Sequence, residues 1–122
     1  MTNPYELTAT DALKLLRNKN LSVFEWVSSC FDRIREKENE AKAWIYLDEE
    51  NALNTAKKLD NSNNTDIMGI PFGIKDIIDA SNVPSGLGTP FYKNNIPIRD
   101  AASVAVSKQA GCVFIGKTVS TE

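Results

Sequence analysis

Two short apolar runs on either side of one helical stretch fix most of what this chain can fold into. The first, Ile70-Pro71-Phe72-Gly73-Ile74-Lys75-Asp76-Ile77-Ile78, lies between Gly69 and Asp79 and reads as a strand over 70–78. The second, Cys112-Val113-Phe114-Ile115, reads as a short buried strand. Between them Asp100 can cap a helix over 101–110, and Gly111 stands at the position where a left-handed residue ends one. A strand, a helix and an apolar second strand in this order predict parallel pairing in an α/β sheet. The chain from the first strand to the helix is a long turn region rich in Gly and Pro.

Upstream the character is helical. Residues 8–19 form a short helix with Ala12, Leu15 and Leu16 on one face, ended by Asn18-Lys19-Asn20. Ser22 and Glu25 make a capping-box pattern, and Leu21 with Trp26 fits a hydrophobic staple. Val23, Val27, Cys30, Phe31 and Ile34 then set an apolar stripe that carries the helix to about residue 37. The charge run Asp32 to Glu38 reads as its solvated face with local ion pairs. Ala43 to Leu47 is a strand-like run, and Asp48 can cap a third helix over 49–60 with Ala52, Leu53, Ala56 and Leu59 inward. Asn61 to Asp66 is a polar stretch that reads as an exposed loop, separating a helical arm, 1–60, from the start of the α/β core, 68–122. There are no internal repeats.

Size and composition then remove several function classes. With 122 residues the natural count is one small domain, and 42% hydrophobic residues suffice for a core. A net charge of −2 with no basic stripe speaks against nucleic-acid binding. The chain has no histidine, which removes the usual base for a cysteine nucleophile and lowers the case for zinc; no metal and no cofactor is expected. Cys30, on a helix face, and Cys112, in an apolar run, lack metal-ligand spacing and read as reduced core thiols. No run suggests a signal peptide or approaches membrane-spanning length, so the expected compartment is the cytoplasm, without a membrane partner.

Lys75 is the residue with chemistry to offer. A lysine buried in an apolar strand loses hydration, which favours its neutral amine, and a held neutral amine can act as a general base. The commoner arrangement for this pattern is a lysine at a strand end, reaching water or pairing with Asp76. Asp76 either pairs with a basic group near Lys75 or faces water at the strand end. The glycines of Ser85-Gly86-Leu87-Gly88-Thr89 suit tight turns more than ligand contact and match no dinucleotide fingerprint. Arg99 and Asp100 read as a structural pair around a helix start. Lys117 precedes Thr118 without the phosphate-loop pattern before it, and Trp26 and Trp44 read as core.

Taken in order, Gly69 to Asp79, Pro84-Ser85-Gly86-Leu87-Gly88-Thr89-Pro90, Arg99-Asp100-Ala101-Ala102, Ala110 to Thr118 and Ser120-Thr121-Glu122 resemble the opening half of the amidase signature family. The resemblance implies a mixed sheet flanked by helices, with a helical N-terminal arm on its outside. It implies hydrolysis of the C–N bond of a linear, small-molecule amide by a Ser–cis-Ser–Lys triad, with no cofactor. Carried over by position, Lys75 is the base of that triad; Asp76 beside it, on the reading of the residues given above, is the supporting candidate. The family's paired serines sit in a Gly/Ser-rich loop after the Thr-Glu element, and no Gly-Gly-Ser-Ser segment occurs here. The chain therefore reads as the N-terminal part of an amidase domain, incomplete and inactive alone, whose first partner is the rest of that domain; a homo-oligomer is compatible with it. Val119, where the A subunit of the tRNA-dependent amidotransferase usually carries Asn, favours a stand-alone amidase over that subunit. A non-catalytic interaction domain from a truncated gene is the reading of a different class.

Overall fold

The computed structural model describes residues 2–62 and 68–121. Four α-helices and three strands follow in the order α1 (Ala9–Arg17), α2 (Val23–Ala41), β1 (Trp44–Leu47), α3 (Glu49–Asp60), β2 (Pro71–Lys75), α4 (Ala102–Gln109) and β3 (Val113–Thr118), counted among the described residues. The sheet order is β1-β3-β2. β2 runs parallel to β3, as the strand–helix–strand pattern predicts, and β1 runs antiparallel to it.

Because side chains alternate across a strand, β3 serves both faces of the sheet. Val113 and Ile115 point to a core built with Val23, Val27 and Phe31 of α2 and Ala52 and Ala56 of α3. Phe114 points to the other face, where it packs with Ile74, Ala80, Val83 and Val104 of α4. The helices of the first sixty residues thus cover one face, and α4 with the residues after β2 covers the other. The polar stretch 61–66 begins exposed at Asn61 and Ser62, and its remainder lies outside the described residues.

Local chemistry explains most boundaries. The capping box of α2 is formed: Ser22 Oγ accepts from the Glu25 N–H at 3.0 Å, and the Ser22 N–H donates to Glu25 at 2.8 Å. α2 outlasts its apolar stripe by a turn, carried by the Arg33–Glu36 and Lys37–Glu40 pairs and stopped by Lys42 in the left-handed region at φ 47°. α4 ends as expected at Gly111, φ 98°, whose N–H donates to the Lys108 carbonyl.

Three expectations need correction. Asp48 sits at the N-cap of α3, yet its carboxylate accepts from the Asn51 side chain and not from the helix backbone. Asp100 does not cap α4, whose N-cap is Ala101; its carboxylate instead accepts from the Ser81 N–H at 2.7 Å and from Lys108 at 3.1 Å. That makes Lys108, and not Arg99, its basic partner. Finally, the strand read over 70–78 stops at Lys75, because a turn closed by Ile78 N–H to the Lys75 carbonyl follows at once.

Candidate active site

The C-terminal ends of β2 and β3 lie side by side, because the strands are parallel and Lys75 is in register with Thr118. In open α/β sheets this is the end where ligands bind. Here it opens on a largely apolar cleft of about 590 Å³, lined among others by Tyr46, Asp76, Gly86, Thr89, Lys93 and Ser120.

Beneath the cleft lies a buried ion pair. Asp76 and Lys117 are both buried, with their charged atoms 3.2 Å apart. The Lys117 ammonium also donates to Ser85 Oγ at 2.8 Å and to the Pro84 carbonyl at 3.3 Å. An ammonium has three donors, so this one is fully engaged. The Gly86 N–H bridges both Asp76 oxygens at 3.2 Å each. A Cβ on Gly86 would come 2.9 Å from Asp76 Oδ2, which is why the loop needs glycine there. The loop therefore serves the pair, and its residues Gly86, Gly88 and Thr89 also line the cleft.

Of the two site residues named from sequence, Asp76 pairs with a basic group, and that group is Lys117. Motif reading misses Lys117, because the only chemistry it suggests there is a phosphate loop that the preceding residues do not form. The signal that could have found it is its place directly after the apolar run Val113 to Ile115. Simple alternation would put it with Ile115, but an irregularity in the β2–β3 register sets it opposite Ile74, on the other face. Lys75 is not buried. It stands exposed on an edge strand, on the opposite side from Asp76, and its ammonium donates to the Val119 carbonyl at the rim of the cleft. Lys75 thus takes the commoner arrangement for this pattern, a lysine at a strand end reaching water, and among the described residues β2 has β3 on one side only.

The remaining candidates fall into structural roles. Trp26 is buried and Trp44 packs against the α2–α3 core. Cys30 and Cys112 are free thiols, half-buried, and burial pushes both up from the ordinary thiol range. Among the described residues no group of His, Cys, Asp or Glu is placed to hold a metal ion, and no helix is long and apolar enough to cross a membrane.

Comparison with known proteins agrees with this geometry. The family model described as Amidase matches residues 25–122. The A subunit of glutamyl-tRNA(Gln) amidotransferase from Lawsonia intracellularis is 36% identical over 97% of this chain, and its counterpart from Roseiflexus sp. is 32% identical over 96%. The chain spans 25% of the length of each of these relatives. Among solved structures, native peptide amidase from Stenotrophomonas maltophilia superposes with a TM-score of 0.87 at 25% identity, over 96% of this chain and 26% of that one. Fatty acid amide hydrolase shares the fold at a TM-score of 0.87 and 20% identity, over 97% of this chain and 22% of that one. With β2, β3 and the loop between them inside the matched span, the chain belongs to the amidase signature family.

Proposed function

We propose that the full-length protein carrying these residues hydrolyses a linear amide in the cytoplasm, with Lys75 as the base of a Ser–cis-Ser–Lys triad whose serines come from chain following Glu122. Residues 1–122 then form the opening part of a single amidase domain and are inactive by themselves. The observation that carries the reading is the position of Lys75. The family's lysine element falls on the C-terminal end of β2, where its amine reaches the rim of the cleft through the Val119 carbonyl. An amine so placed can take the proton that a nucleophilic serine gives up as it attacks the amide carbonyl, through the second serine. Amide hydrolysis by this route needs no metal or cofactor. Exposure of Lys75 in residues 1–122 fits an amine that the remainder of the domain covers.

A second reading has its own support. The curated relatives named above are amidotransferase A subunits, so a glutaminase feeding ammonia to a partner protein is the alternative to a stand-alone amidase. Val119 favours the stand-alone enzyme, since the amidotransferase chain usually carries Asn there.

The test is turnover of glutamine, acetamide and p-nitroacetanilide by the full-length protein and by its Lys75→Ala variant. Loss of about 10²–10⁴ in rate with folding unchanged is expected for removal of a general base. Retained turnover in that variant removes Lys75 from the mechanism. Glutamine as the only substrate selects the amidotransferase reading, and absence of turnover on all three supports the non-catalytic one.

A further inference from the structure

The Asp76–Lys117 pair calls for an explanation beyond stability. A buried ion pair gains little over well-packed apolar residues of the same volume, because both charges lose their hydration. What such a pair does supply is direction. Here it joins β3, β2 and the loop carrying Pro84 to Gly86 in one connected cluster. The Asp76 backbone is held as firmly as its side chain: its N–H donates to the Thr118 carbonyl at 3.0 Å, and its carbonyl accepts from Leu87 at 3.0 Å. The residue immediately before it is Lys75, whose carbonyl closes the following turn with Ile78 at 2.9 Å.

We propose that the buried Asp76–Lys117 pair is the positioning device for Lys75. Successive side chains on a strand point to opposite sides. Drawing Asp76 inward onto Lys117 and Gly86 therefore turns Lys75 outward, and fixes the strand end from which its amine reaches Val119. Lys117 itself touches no substrate; its donors are all engaged within the chain, and it acts through its neighbour. The inference deepens the reading of Lys75 as the base and rests on that reading for its catalytic meaning.

The test measures the amine directly. The full-length protein and its Asp76→Asn/Lys117→Met variant, which removes both charges together, are acetylated with the N-hydroxysuccinimide ester of acetic acid. Modification of each lysine is then followed by mass spectrometry. Lys75 should acetylate about fivefold faster in the variant, the factor that loss of one hydrogen bond carries, while the exposed Lys14 and Lys58, away from the cleft, keep their rates. A purely structural pair would leave Lys75 in step with those two lysines, and that result overturns the proposal. Gly86→Ala, which presses on Asp76 Oδ2 without altering a charge, should shift Lys75 in the same direction if the double variant fails to fold. An unchanged Lys75 rate in folded Gly86→Ala is equally fatal. The Lys75→Ala turnover assay tests the base assignment separately, so failure of that reading is distinguishable from failure of the positioning role.

Discussion

An ammonium in a protein interior is tolerable only when each of its donors finds a partner, and Lys117 meets that condition with Asp76, Ser85 and Pro84. Lys117→Met alone leaves the Asp76 carboxylate buried with, among the described residues, only the Gly86 N–H to answer it. We expect it to lower stability by ~3–5 kcal/mol, the cost of breaking a buried pair from one side, read as the shift of a urea unfolding curve. Asp76→Asn combined with Lys117→Met should recover most of that loss, because no uncompensated charge remains. A double variant as unstable as the single one would show that shape, and not charge, dominates the site. Neither partner announces the other in the sequence, for they are brought together by the parallel register of two strands joined through a helix. What the sequence does offer is Asp76 beside Lys75. The contact that decides where each of them points is long-range, and local pattern cannot supply it.

At the scale of elements, whatever depends on neighbours in the chain is legible in the sequence and whatever depends on packing is not. The Ser22–Glu25 box and the Gly111 stop are contacts over three or four residues, and both form. The start of α2 has a further anchor invisible at that range. The Asp60 carboxylate, at the far end of α3, accepts from the Val23 and Phe24 N–H groups at 2.7 and 3.0 Å. Those are two of the donors that a helix N-terminus leaves without a partner, and the negative charge suits the helix dipole. Asp60→Ala should therefore cost about 1–2 kcal/mol, comparable to loss of a strong N-cap, and it should loosen the α2–α3 contact as judged by faster amide exchange at Val23 and Phe24. Asp100 gives the acid limb of stability. Burial pushes its carboxyl up, but hydrogen bonds from Ser81 and Lys108 outweigh that and hold it below the ordinary carboxylate value. A depressed folded-state value means the stabilisation is complete above the unfolded value of about 4 and is lost as pH falls through the lower, folded one. Asp100→Asn should flatten the acid side of the stability–pH curve below about pH 4, while leaving its slope near neutrality unchanged.

For the molecule as a whole, the central strand is finished and the rim is not. β3 is flanked on both edges and covered on both faces, and Val113 to Lys117 are buried throughout. β1 and β2 are the outer strands of the sheet formed by the described residues, each with β3 on one side. Beyond β2 the surface carries Ile77 at 59%, Ile98 at 84% and Phe91 at 92% exposure, and α4 presents Val106 at 63%. Scattered apolar residues are ordinary on a protein surface, but several large ones exposed together with outer strand edges favour association. A polypeptide of residues 1–122 should therefore associate in a concentration-dependent way, seen as a rise in light scattering, and unfold at a lower temperature than the full-length protein. The alternative has a distinct signature. A chain of this length can bury enough surface to fold cooperatively by itself, so a monomeric polypeptide melting in one transition at the full-length temperature would mean that its interior alone supports the fold. Since the Asp76–Lys117 cluster already has all its partners within these residues, that outcome would leave the site's anchor intact while removing the expectation that neighbouring chain is needed to stabilise it.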